Sequence, residues 1–282
     1  MLPPETPPRR VVAIPLLPIL IFSALGWIAV TTYLRYAHAL PQELDEAKSA
    51  LHARNVAKAT ALFDAAIRKQ PHDPAVYVDL GQICSEEPWD SKEHRGQVMA
   101  DYAERGLRDC PHASDPDIAA LDTMLALGDA DAEPAHPQTQ AIQAAQEALR
   151  HDPDNPVTLN LAGYLLADND QDLDLAKKDI AKALQDLRQS DEGHMLSAVE
   201  DSYGWVLYKQ GDYKTAIEVL QQAINDTPEE TTDEERAVYY YHLGSAYVKA
   251  GDPQEARQAL ELALRYDPND PDARAAAATL KN

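Results

Sequence analysis

Apolar positions follow one rule at the start of the chain and another through the rest of it. From Val11 to Leu34 the sequence VVAIPLLPILIFSALGWIAVTTYL runs 24 residues without a charge. A helix of that length covers roughly 36 Å, enough for a hydrocarbon core with some tilt. Pro15 and Pro18 fall in its first third, where lipid-embedded helices tolerate a kink. Beyond Leu40 no such run recurs. Small and apolar residues instead return at fixed spacings, broken by Gly-Asp pairs, acidic turns and prolines.

That second pattern repeats itself. SYGWVLYKQGDYKTAIEVLQQAINDTP, ending at Pro228, aligns without a gap over its matching parts with HLGSAYVKAGDPQEARQALELALRYDP, ending at Pro268, 40 residues further on. The first copy carries Gly204, Gly211-Asp212, Ala216, Leu220, Ala223 and Pro228. The second carries Gly244, Gly251-Asp252, Ala256, Leu260, Ala263 and Pro268. Small residues at such positions let two antiparallel helices approach closely, and the larger apolar ones fill the space between neighbouring pairs. Gly-Asp ends one helix and starts the next, and proline stops the second. Earlier copies are looser: Leu159, Gly163, Ala176, Ile180 and Ala183 with an acidic turn DNDQDLD; Leu121, Leu125, Ala141 and Ala148 around an acidic loop GDADAEPAHP; Tyr77, Gly81 and Cys84 before an inserted EEPWDSKEHRG; and Ala59, Phe63, Ala66 and Pro71.

In these residues the chain resembles the tetratricopeptide-repeat family, specifically its membrane-anchored bacterial type. The resemblance covers residues 41–282 and is tightest over 156–270. It implies an all-α solenoid of about six helix-turn-helix repeats at 41–73, 74–113, 114–155, 156–192, 197–230 and 237–270. A capping helix over 271–282 closes the last apolar face. A short tail (1–10) and one transmembrane helix (11–36) precede the array.

The apolar run has three readings: a retained signal anchor, a signal peptide cleaved after Ala39 (Ala37-His38-Ala39 fits the small-residue rule), or a buried soluble helix. Length favours the anchor. Arg9 and Arg10 before it orient the N-terminus inward, and Trp27, Tyr33 and Tyr36 suit the far interface. The expectation is a single-pass protein of a bacterial inner membrane with its repeats in the periplasm.

Charge then narrows the partners. The whole chain carries −22. Residues 1–40 contribute +2, leaving −24 on the array, which repels phosphate backbones and argues against nucleic acid. No phosphate-binding, nucleophile-elbow, HExxH or CxxC pattern occurs, and no enzyme, cofactor or metal is expected. DNDQDLD has some look of a calcium loop but lacks the central glycine and downstream glutamate. Cys84 and Cys110 fall near opposite ends of one hairpin and read as packing residues.

The family resemblance places certain first-helix positions on an inner, partner-binding wall. Here they hold Asn160, Tyr164, Asp201, Trp205, Tyr208, Lys209, Tyr241 and Lys249. Aromatics with polar handles make anchors for a peptide segment, although Tyr164 and Trp205 could equally pack between repeats. The family's carboxylate clamp is mostly absent, because Asp201 and Tyr241 stand where it needs donors. Trp89, in the inserted loop, offers either a second recognition point or a ring tucked onto its own repeat. The expected function is a membrane-tethered protein-interaction scaffold or assembly factor. The alternative is a constitutive subunit of a membrane complex, its helix packed against other membrane subunits.

Overall fold

A computed structural model describes residues 42–132, 138–189, 195–229 and 231–280. The apolar run at 11–34 lies outside these. Among the described residues no helix is long and apolar enough to cross a membrane.

The described residues form thirteen helices and no strand. They pair as α1 (Gln42–His52) with α2 (Val56–Lys69), α3 (Pro74–Glu86) with α4 (Lys92–Asp109), and α5 (Asp115–Ala132) with α6 (Thr139–His151). Then α7 (Pro156–Asp168) pairs with α8 (Leu173–Gln189), α9 (Leu196–Lys209) with α10 (Tyr213–Asn225), and α11 (Asp233–Ala250) with α12 (Pro253–Tyr266). The short α13 (Pro271–Thr279) packs on both helices of the last pair.

Helix starts are written in the local sequence. Asp73 and Asn155 cap α3 and α7 with a side-chain oxygen, and a proline at the first turn follows each. Ser91, Asp212 and Asp270 cap α4, α10 and α13 in the same way. Thr232 and Glu235 form a reciprocal capping box at α11. The turns inside four hairpins close identically. An amide reaches back five residues, Asn55 to Ala50, Gln171 to Leu166, Asp212 to Leu207 and Asp252 to Tyr247, at 2.8–3.0 Å. This closure needs a residue in the left-handed region. Gly211 and Gly251 supply it at φ +85° and +89°, whereas Arg54 and Asp170 adopt it at +57° and +53° without glycine's freedom. The acidic turn of the fourth hairpin therefore has the same geometry as the Gly-Asp turns, because aspartate tolerates that region better than most residues.

Packing follows the repeat. A Cβ added at Gly163, Gly204 or Gly244 would come within 2.5–2.7 Å of Ile180, Leu220 or Leu260. Each glycine thus seats the large apolar residue of the facing helix in its own hairpin. The second hairpin departs from the rule. Its 87–91 insertion spreads the pair, and α4 packs more extensively on α5 than on α3. There Gly96 and Gly128 cross backbone to backbone, with a Cβ at Gly96 only 2.4 Å from the Ala132 amide nitrogen. Arg95 clamps the crossing through Nε and Nη2, at 2.9 and 2.7 Å from Asp131 Oδ2.

Trp89 is 8% exposed and belongs to the core of the first three hairpins. Its carbonyl accepts from Arg54 at 3.0 Å and its ring meets His94 edge-on. The inserted loop is pinned inward, so Trp89 is tucked onto the array rather than held out from it. Cys84 and Cys110 are both free thiols and both buried.

Candidate functional site

First helices α7, α9 and α11 lie side by side, and the groups expected on the inner wall meet across them. Burial of an aromatic row between helices sets the geometry. Trp205 on α9 is only 4% exposed. Its indole lies between Tyr208, with centroids 4.7 Å apart, and His242 of α11, at 4.0 Å; both pairs are nearly parallel. Tyr241 and Tyr164 close around the same imidazole at 5.6 and 6.2 Å. Four of the expected wall residues, Tyr164, Trp205, Tyr208 and Tyr241, are thus brought into one cluster. Trp205 sits beneath its surface, while Tyr164, Tyr208 and Tyr241 are half-buried.

Polar groups fix the cluster from below and from the side. Asp201, 3% exposed, holds His242 through Oδ2 at 2.8 Å from Nδ1. The indole N–H of Trp205 donates to Asp168 Oδ1 at 3.1 Å. Lys209 lies 5.2 Å over the Trp205 ring and turns its ammonium onto the Asp168 carbonyl and the Asp170 carboxylate, at 3.2 and 3.0 Å. Gln210 reaches Asp174 at 3.1 Å. The acidic DNDQDLD turn is therefore occupied by the next repeat's side chains. Among the described residues no group of three or more His, Cys, Asp or Glu side chains is arranged to hold a metal ion. Lys249 stands exposed near the end of α11, away from these contacts. Asn160 lies one turn before Tyr164 on α7, partly buried.

The phenols of the cluster are all shifted upward. Burial, then Asp168 and Asp201, hold the Tyr164 hydroxyl far above its ordinary range. Burial, then Asp272 of α13, pushes Tyr241 up to about 12. Tyr208 is raised by burial, then by Tyr213 and Asp170. At neutral pH these phenols are un-ionised, as ordinary tyrosines are, and the partly exposed Tyr208 and Tyr241 can donate as well as accept. The wall can hold an extended segment by aromatic contact and hydrogen bonds.

Two members of the cluster, His242 and Asp168, stand outside the expected inner positions. His242 follows Tyr241 directly and lies 41 residues after Asp201, close to the repeat period. A polar residue recurring at that interval among apolar ones was the available signal.

Residues 207–280 and 44–86 each match models of the tetratricopeptide repeat. A TPR repeat-containing protein of Pseudomonas aeruginosa is 30% identical over 190 residues, which is 67% of this chain. The chain spans only 29% of that relative's length. Among solved structures, the APC/C hetero-tetramer Cut9–Hcn1 superposes over 92% of this chain and 46% of its own, with TM-score 0.63 at 17% identity. PlcR of Bacillus thuringiensis, solved with the peptide PapR7 and DNA, matches over 92% of this chain and 99% of its own, with TM-score 0.55 at 13% identity. NprR, solved with its cognate peptide NprX, matches over 90% and 77%, with TM-score 0.54 at 16% identity. At these identities the structures show the fold. The described residues form an all-α solenoid of tetratricopeptide repeats.

Proposed function

We propose that the chain is a membrane-tethered protein-interaction scaffold whose wall of α7, α9 and α11 captures a segment of a partner protein. The observation that carries this is the aromatic cluster shared by three consecutive repeats, where half-buried Tyr164, Tyr208 and Tyr241 surround a buried Trp205–His242 stack. Tyrosines presented on a rigid support lose little conformational freedom on binding and make strong anchors. That solenoids of this fold have been solved with peptides, as in PlcR and NprR, agrees with the reading. Tethering is supported by the uncharged 11–34 run with Arg9 and Arg10 ahead of it. Those charges favour an array displayed on the non-cytoplasmic side.

The experiment is cross-linking and co-purification of the full chain from native membranes, with the partner identified by mass spectrometry, repeated with Tyr208→Ala and Tyr241→Ala. Capture of the same partner in unchanged yield by both variants sinks the wall as the binding surface. Release of the chain from membranes by alkaline carbonate sinks the tether. If capture survives every wall variant but is lost when 11–34 is exchanged for an unrelated span, the chain is instead a subunit held through its membrane helix.

A further inference from the structure

Each of the three wall helices carries a polar or hydroxyl-bearing side chain at one step and a second residue of the same helix face one turn later. The pairs are Asn160 and Tyr164 on α7, Asp201 and Trp205 on α9, and Tyr241 and Ser245 on α11. Asn160 and Asp201 stand at the same repeat position, each three residues before the glycine that seats its facing helix (Gly163 and Gly204), and α7 packs on α9, so the two lie in one row beside the aromatics. Two acceptors in that row lack a donor. Asp201 spends Oδ2 on His242, while its buried Oδ1 has no hydrogen-bond partner, and neither has the buried Oδ1 of Asn160. A carboxylate oxygen buried without a donor costs more than an ordinary hydrogen bond gains. Lys209, the cation on the same helix, is turned away onto Asp168 and Asp170.

What is missing is a donor-only group with several N–H bonds, able to lie against aromatic rings. A guanidinium has five donors in a fixed planar fork, stacks on aromatic faces and sheds water more readily than an ammonium. The array's charge of −24 beyond residue 40 draws such a group in. We propose that this row takes one arginine side chain of the partner segment. The guanidinium donates to Asp201 Oδ1 and Asn160 Oδ1 and stacks on Tyr164 or Tyr241, which turns aside to admit it. The assignment rests on the wall being the binding surface and adds the side chain that the wall selects.

The test uses the full chain with 15N-labelled indoles, following the Trp205 indole N–H signal, which is assigned by its loss in Trp205→Phe. The probes are N-acetyl-arginine amide, its lysine counterpart and the neutral isostere N-acetyl-citrulline amide. The arginine probe gives a saturable shift, and the lysine and citrulline probes bind at least about tenfold more weakly. Asp201→Asn weakens the arginine probe about tenfold. Asn160→Leu, which leaves the Asp201–His242 contact untouched, weakens it about threefold or more. Equal binding of citrulline, no saturable shift with arginine, or a shift unchanged in Asn160→Leu overturns the assignment. If the partner is still captured through Tyr208 while the probes fail to discriminate, the arginine assignment falls and the wall stands. If capture ignores both Tyr208 and Tyr241, the wall itself falls.

Discussion

The indole of Trp205 and the imidazole of His242 stack at 4.0 Å with their planes within 17°, joining the fifth hairpin to the sixth. A ring in that position supports the inter-repeat packing before it touches any partner. Trp205→Ala leaves a large cavity between α9 and α11 and should cost about 3–5 kcal/mol of stability, with Trp205→Phe losing less. Urea denaturation followed by circular dichroism measures both. A loss below about 1 kcal/mol for the alanine variant would mean that the stack bears no structural load. Tyr208, half-buried at the edge, is the cleaner residue for testing binding.

The Gly96–Gly128 crossing makes a sharp prediction because backbone, not a flexible side chain, stands in the way. Gly96→Ala has to push α4 from α5 and should lose about 1–3 kcal/mol. Gly211 has nothing within 4 Å of an added Cβ but sits at φ +85°. Gly211→Asn, which tolerates that region, should cost less than about 1 kcal/mol. Reversal of this order in thermal melts would refute the close crossing.

Stability should fall as pH rises from acid toward neutral, through carboxyls that burial keeps protonated. Burial, and secondarily the Asp73 carboxylate, pushes Asp79 on α3 up to about 7. Its value in the unfolded chain is about 3.9. Between these values the native state keeps a proton that the unfolded state has released, so stability declines through that window and levels off above it. Burial raises Asp122 to about 6 in the same sense. Asp79→Asn removes the first contribution: it should stabilise by about 1–2 kcal/mol at pH 8 and change little at pH 4. Equal effects at the two pH values in urea titrations would exclude this origin.

Both cysteines should be inert in the folded array. Burial drives the Cys84 thiol far up, and burial with Asp73 and Asp109 raises Cys110 to about 11. The reactive thiolate is therefore scarce, and neither sulfur is accessible. Ellman's reagent at pH 7.5 should modify native chain slowly and titrate both thiols rapidly in urea. Fast reaction of either thiol without denaturant would show that its hairpin opens locally.

The capping box at α11 is worth testing by itself. Thr232 accepts from the Glu235 amide at 3.2 Å, and the Glu235 carboxylate accepts from the Thr232 amide at 3.0 Å. Thr232→Ala should cost about 1 kcal/mol in a two-state denaturation, and Glu235→Ala less.

Much of the fold was legible because its rules are local. Asp-Pro and Asn-Pro starts, the Gly-Asp turns and small residues facing large apolar ones all act within one hairpin, as Gly204 against Leu220 does. The second hairpin was less legible, since the Gly96–Gly128 crossing joins residues that belong to different repeats. The same limit applies to the site. Spacing gathers Tyr164, Trp205, Tyr208 and Tyr241 on first helices, yet it does not say which ring lies beneath the others.

By itself, then, the sequence determined the paired helices, their turns, the acidic surface and the long apolar run at 11–34, because each depends on neighbours a few residues apart. Only the tertiary structure decided that Trp205 is buried against His242, that Lys209 is committed to Asp168 and Asp170, that Trp89 turns inward, and that Asp201 keeps one oxygen without a donor. Those outcomes depend on side chains some 35 to 41 residues apart meeting across helices, and burial there is shared among repeats rather than encoded in any one of them.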